Sequence, residues 1–267
     1  MSSNGQRSLR KNHGRGHSYW IDGDKVPGIT SVLGDGYPKP ALVNWAADTT
    51  AGYAVDHWDD LAQLPISKRL AEISRARWQA SDEAKLRGTA VHSYAEQLAA
   101  GTELEIPDEY VGHVDAYLKF VHDWQPAELL VEQPVFSRRW RYAGTPDLVA
   151  TLADGRSWLL DWKTTAKGVF LDHVLQLAAA RYAEYTLDDQ GNETPLPPNE
   201  ATGIVWLRAD GYDLIPVEAN EQAHRLFLYV LAISRFVGDR DAWIGDTLRP
   251  GTATSDRHLN QQAKGHP

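Results

Sequence analysis

Cysteine is absent from this chain of 267 residues. That absence excludes disulfides, thiolate zinc sites, cysteine-ligated iron–sulfur clusters and a cysteine nucleophile. No apolar run approaches the ~20 residues that a membrane span needs, so no contact with a membrane interior is expected. Positive charge is not in excess either: 27 Lys and Arg stand against 36 Asp and Glu, a net charge of −9. A protein that coats nucleic acid by charge alone is excluded, while a local basic groove is not. The first residues, MSSNGQRSLRKNHGRGH, are polar and basic with no apolar segment behind them, which is not the pattern of a secretory signal. A cytoplasmic protein is the expectation.

What is present suits a folded α/β domain. Apolar residues make up 42% and charged residues 24%, enough apolar material for a sizeable core. There is no internal repeat and no break in composition. Residues 1–16 read as a flexible basic tail and 17–244 as one domain, with 17–125 mainly helical and 126–244 holding the sheet and C-terminal helices. Residues 245–267 read as a polar tail.

Periodicity gives the outline. His17–Asp22 alternates like a short strand closed by Gly23-Asp24. Helical spacing runs from Ala41 to Leu61 and from Ser67 to Gln79. A further helix, capped by Ser81, runs to about Ala100, and another spans Pro107 to Trp124. The period then changes to 2, which predicts strands at Leu129–Ser137, Arg141–Leu152 and Trp158–Lys163. A helix is expected from about Leu171 to Thr186. A hairpin follows around Ala209-Asp210-Gly211, then a closing helix from Asn220 to Val237.

The densest chemical signal is Gly144-Thr145-Pro146-Asp147, followed by Asp161-Trp162-Lys163. Alternation along a strand puts Asp161 and Lys163 on one face and Trp162 on the other. The turn at Ala153–Arg156 pairs this strand with the one before it, which brings Asp147 beside Asp161. Two adjacent carboxylates need a shared proton or a cation. A hard divalent ion takes oxygen ligands, acidifies a bound water and polarises a phosphoryl oxygen. Lys163 would orient that water or offset charge developing on phosphorus. The alternative is a surface Asp/Lys pair on an ordinary hairpin.

Three other positions extend this pattern. In Arg87-Gly88-Thr89-Ala90-Val91-His92 the imidazole is a candidate ligand for the same ion. Glu96, one turn on, is placed to orient that ring. Gln176 lies in an apolar helical stretch and needs a partner for its amide. Glu132, on the strand before Asp147, is either a further ligand or base or an edge-strand charge.

Taken in order, these segments resemble the PD-(D/E)xK phosphodiesterase superfamily, in particular its RecB-like branch, which includes phage exonucleases. Gly88 to His92 is similar to the helix motif G-x-x-x-H. Asp147 matches the strand-terminal acid, Asp161-Trp162-Lys163 the (D/E)-x-K element, and Gln176 the start of Q-x-x-x-Y. The resemblance covers about residues 81–187. It implies a restriction-endonuclease-like core, a mixed central sheet flanked by helices, with a helical N-terminal elaboration. It also implies Mg2+ or Mn2+ held by His92, Asp147, Asp161 and the Trp162 backbone carbonyl. Lys163, Gln176 and Glu132 would complete the catalytic set. Two departures stand out. The motif's final Tyr falls at position 180, which is Ala here, and Tyr182 lies about 200° further round the helix. The iron–sulfur cysteines of some relatives are missing, so no cluster is expected.

The activity implied is a metal-dependent deoxyribonuclease, an exonuclease on linear double-stranded DNA in phage-type recombination or replication. An endonuclease or nickase with the same centre is one alternative. A non-catalytic DNA- or partner-binding protein of the same fold is another. DNA is the expected partner, and by analogy a single-strand annealing recombination protein. If the chain is phage-encoded, the compartment is the host cytoplasm. Cations for phosphate contact are sought at Lys85 with Arg87 and at Arg138, Arg139 and Arg141, where Trp140 either stacks on a base or wedges a duplex end, or is a buried aromatic in a solvated turn. The tail, with Arg7, Arg10, Lys11 and Arg15, and the Lys68-Arg69 stretch with Arg75 and Arg77 are further clusters.

Overall fold

The computed structural model describes residues 8–13, 16–99, 102–165, 168–188, 190–245 and 247. The side chains at 83–85, 92, 95, 96, 99 and 240 lie outside that description, as does nearly all of the expected C-terminal tail.

Segment 8–13, read from sequence as the end of a flexible tail, is strand β1 (Ser8–His13). It pairs antiparallel with β2 (Gly16–Ile21), which pairs with β3 (Asp24–Val26). The expected turn joins these last two, with Asp22 and Gly23 both at positive φ. The N-terminal part is therefore not purely helical.

Five helices follow: α1 (Ile29–Gly36), α2 (Pro40–Asp56), α3 (Trp58–Ala62), α4 (Ile66–Ala99) and α5 (Asp108–Trp124). The two helices expected on either side of Ser81 are one continuous helix of 34 residues. No Gly or Pro interrupts Ile66 to Arg87, and a single Ser costs a helix interior too little to break it. Arg69 caps the preceding α3 region, donating to the carbonyls of Leu61, Ala62 and Leu64. Gly112 in α5 permits a close crossing, since a Cβ there would stand 2.3 Å from the Ala209 carbonyl oxygen.

The central sheet has five strands in the order β12-β11-β8-β7-β4. These are β4 (Ala127–Val131), β7 (Leu148–Thr151), β8 (Ser157–Lys163), β11 (Ala201–Arg208) and β12 (Gly211–Pro216). Only the β8–β11 pair is parallel, its connection running through α6 (Leu171–Arg181). The chain is thus α/β, with a mixed sheet flanked by helices.

Two segments read as single strands are divided. Leu129–Ser137 becomes β4 and β5 (Val135–Ser137), and Arg141–Leu152 becomes β6 (Tyr142–Gly144) and β7. Strands β5 and β6 belong to a second sheet, β10-β9-β5-β6, with β9 (Tyr185–Leu187) and β10 (Glu193–Pro195). The expected end of α6 near Thr186 is accordingly β9. The divisions fall at Glu132, which takes a left-handed φ of 47°, and at Thr145-Pro146-Asp147. An L-residue at positive φ cannot continue a strand.

One face of the central sheet packs on α1, α6 and α7 (Glu221–Gly238) through Leu159, Leu177, Ile204 and Phe227. The other packs on α4 and α5 through Val91, Phe120, Leu148 and Leu160. Four-residue α8 (Arg240–Trp243) follows α7. No helix among the described residues is long and apolar enough to cross a membrane.

Candidate functional site

The β7–β8 ladder pairs Leu148 with Leu160, so one step further Asp147 stands opposite Asp161. Asp147 does not end a strand; it stands just before β7. Its Oδ2 accepts the backbone N–H of Trp162 at 2.6 Å, which ties the acid to β8 across the ladder. Alternation then sends Asp161 and Lys163 to the α6 side and Trp162 to the α5 side. There Trp162 meets Phe120 and Tyr117 edge-to-face at 5.2 Å.

Asp161 is 2% exposed. Its Oδ2 is in contact with the Lys163 ammonium, and its Oδ1 accepts from Gln176 Nε2 at 2.7 Å. Gln176 Oε1 in turn accepts from Lys163 Nζ at 3.3 Å. One amide from α6 therefore holds both ends of the ion pair, which answers the requirement that a Gln in an apolar helix find partners. Burial works against the Lys163 charge, but the carboxylates of Asp161 and Asp147 outweigh it and hold the ammonium above its ordinary pKa. Lys163 is therefore charged at neutral pH and has no free electron pair with which to take a proton.

Helix α6 brings further groups that single-residue reading of the sequence missed. Asp172 is bridged to Lys39 at 2.9 Å. Burial opposes its ionisation, yet Lys39 keeps it below the usual carboxylate range. Neighbouring His173 is held below the ordinary imidazole range by burial and by Lys163. The spacing of three between His173 and Gln176 was the available signal, because such residues share a helix face.

On the other side, Val91, Glu132, Asp147 and Trp162 line a cavity of about 30 Å³. A Cβ on Gly88 would lie 3.5 Å from Thr164 Oγ1, so α4 passes close to the end of β8. The helix segment carrying His92 is thus beside Asp147. The His92 and Glu96 side chains, both expected at the site, lie outside the described residues. Among the described residues, no group of three His, Cys, Asp or Glu is gathered as a metal cluster. Glu132 sits at the exposed junction between the two sheets rather than on a strand, its N–H donating to the Asp147 carbonyl at 3.1 Å.

A second cavity, about 80 Å³, opens on the α6 face and is lined by His17, Tyr19, Thr145, Asp161, Gln176 and Ala180, among others. Ala180 therefore faces the site. Tyr182 does not: its ring stacks on His224 at 5.0 Å.

The expected phosphate-binding arginines are differently disposed. Arg138 is ion-paired with Asp22 and Glu193, and Arg141 with Asp22 and Asp24. Arg139 is exposed and lies over Trp140, 4.8 Å from its ring centre. Trp140 itself packs against the core. Arg87 is near enough to His113 to depress that imidazole further after burial has done so, and the Arg87 Nε is buried with no hydrogen bond among the described residues. The Lys85 side chain lies outside the described residues.

Comparison with known proteins adds little. No family model matches the chain, and no curated protein matches it. A solved structure described as "Crystal structure of SSO0001" aligns with 12% identity over 58% of this chain and 71% of the other, at a TM-score of 0.30.

Proposed function

We propose that the protein is a metal-dependent deoxyribonuclease with a restriction-endonuclease-like core, acting on linear double-stranded DNA. The observation that carries this reading is the convergence of Asp147, Asp161, Lys163 and Gln176 at one end of the β7–β8 ladder. Asp147 is tied to β8 through the Trp162 N–H, Asp161 is buried on the same strand, and both carboxylates act on the Lys163 ammonium. A hard cation suits the two carboxylates, which are oxygen donors. The buried Asp161 Oδ2 makes no hydrogen bond of good geometry and already meets a cation in the Lys163 ammonium. Asp147, Asp161 and the Trp162 carbonyl, with His92, would hold Mg2+ or Mn2+.

Bound there, the ion would supply Lewis-acid stabilisation of phosphoryl oxygens and a more acidic water. The chain's own groups have separable roles. Gln176 fixes Asp161 Oδ1 and Lys163 Nζ, so neither must reorganise as charge develops. Lys163, charged at neutral pH, offsets negative charge on a non-bridging phosphate oxygen and does not serve as the base. Trp162, wedged against Phe120 and Tyr117, keeps β8 from shifting beneath the acids.

The test is incubation of linear, nicked and covalently closed DNA with and without Mg2+, using wild type and Asp161→Asn. Mg2+-dependent loss of linear DNA, with closed circles intact and the variant inert, is the expected result. Cleavage of closed circles would make the enzyme an endonuclease. Cleavage at the wild-type rate by the variant would refute the assignment of the site.

A further inference from the structure

The β1–β2 hairpin lies against the proposed centre. Its register pairs Arg10 with Tyr19 and Asn12 with His17, so these four side chains share one face. Lys11 and Trp20 occupy the other, the ammonium 4.9 Å from the ring centre.

On the shared face Tyr19 is the fixed element. Its ring is 3% exposed and sits edge-to-face on Phe136. Its hydroxyl lies 2.8 Å from both Thr145 Oγ1 and His17 Nε2. Thr145 is two residues from Asp147, and His17, Tyr19 and Thr145 share a cavity with Asp161 and Gln176. The hydroxyl thus ties the exposed imidazole of His17 to the strand junction that carries the acids.

Arg10 brings a fixed charge to the same place. Its Nη1 donates to the Glu132 carbonyl at 3.3 Å, while its Nε is buried and finds no hydrogen-bond partner among the described residues. A buried guanidinium N–H without an acceptor is costly, and an oxyanion beside it would satisfy it. Burial first, and then Arg10, hold the His17 imidazole below its ordinary pKa while Glu132 opposes them, so the fixed positive charge beside His17 is the Arg10 guanidinium and the ring acts as a neutral hydrogen-bonding group.

An anion seated on Arg10 and His17 would be one end of a ligand whose other end reaches Asp161 through the shared cavity. In a polynucleotide, phosphates recur along the chain at a spacing fixed by the sugar, which fits an acidic centre next to a cationic one. We propose that the β1–β2 hairpin is a phosphate subsite, in which Arg10 and His17 hold a phosphate of the cut strand adjacent to the scissile one. Tyr19, through its hydroxyl, is the positioning residue that sets the His17 ring. The subsite rests on the nuclease reading above and reads no bases, since it offers contacts to phosphate alone.

The test is binding of a fluorescein-labelled linear duplex in Ca2+, measured against salt, for wild type, Arg10→Ala, Arg10→Lys, His17→Ala and Tyr19→Phe. In parallel, steady-state cleavage in Mg2+ and calorimetric Mg2+ binding are recorded for each. Arg10→Ala should weaken duplex binding about tenfold, as loss of a charge-assisted hydrogen bond does, and His17→Ala by about threefold to tenfold, as loss of a neutral one does. Arg10→Ala should lower the salt slope by about one, and Arg10→Lys should restore it. Tyr19→Phe keeps the ring packing and should raise KM more than it lowers kcat. Mg2+ affinity should be unchanged in all four variants. Wild-type affinity and slope in Arg10→Ala and His17→Ala would overturn the subsite while leaving the nuclease reading standing. A wild-type protein that binds Mg2+ but neither binds nor cuts duplex overturns both.

Discussion

Gln176 Nε2 stands 2.7 Å from Asp161 Oδ1, fifteen residues back along the chain, and the same amide accepts from Lys163. The ion pair beneath it is buried on the acid's side and only 19% exposed on the lysine's. Under the proposed function, catalysis and stability would rest on the same atoms.

Removing one charge leaves the other uncompensated. Asp161→Ala should destabilise the fold by about 3–5 kcal/mol, and the double variant Asp161→Leu with Lys163→Met should recover most of that loss. Urea unfolding of both variants checks this. Truncation to Ala does not suit a carboxylate so deeply placed, and Asp161→Asn is the milder choice for activity work.

Gln176→Leu removes both bonds while keeping volume. It should cost about 1–3 kcal/mol of stability by leaving buried partners unsatisfied. Mg2+-dependent cleavage should fall by at least about tenfold, because Lys163 and Asp161 lose their fixed orientation. Single-turnover cleavage rates, set beside unfolding midpoints, separate the two effects. An unchanged rate would remove Gln176 from the site.

Several histidines impose an acid limit. Burial holds the imidazoles of His173 and His224 below the ordinary value of 6.5. His224 also lies 3.1 Å from the Tyr142 hydroxyl, which itself donates to the Ala179 carbonyl. As pH falls through about 6.5, the unfolded chain takes up protons that the folded chain resists, so stability declines toward acid and is level above. Asp172, held low by Lys39, contributes its own loss only below the usual carboxylate range. Urea midpoints followed from about pH 8 to about pH 5 should fall, and His224→Gln should flatten the curve.

The centre of the site was legible because it lies on a regular hairpin. Alternation separates Asp161 and Lys163 from Trp162, and the short Asp154-Gly155 turn sets the register that brings Asp147 across. Elements governed by partners outside their own segment were less legible. Strand β1 is polar along Arg10, Lys11, Asn12 and His13, and only its pairing with β2 makes it a strand, so the hairpin wall of the site was read as tail. Glu132 alternates with its neighbours as a strand residue would, yet the chain changes sheets there. Arg138 and Arg141 look like free cations in sequence, but Asp22, Asp24 and Glu193, distant along the chain, fold back onto them. Tyr182 was separated from position 180 by helix geometry alone, and its stacking on His224 agrees with that.

In the proposed centre Asp147 and Asp161 share one hard cation, and calorimetric titration of Mn2+ into the protein, repeated with Asp147→Asn and Asp161→Asn, decides the matter. The wild type should bind saturably, and binding should be lost or greatly weakened in each variant while both remain folded. No binding by the wild type, or undiminished binding in both variants, would rule the shared site out.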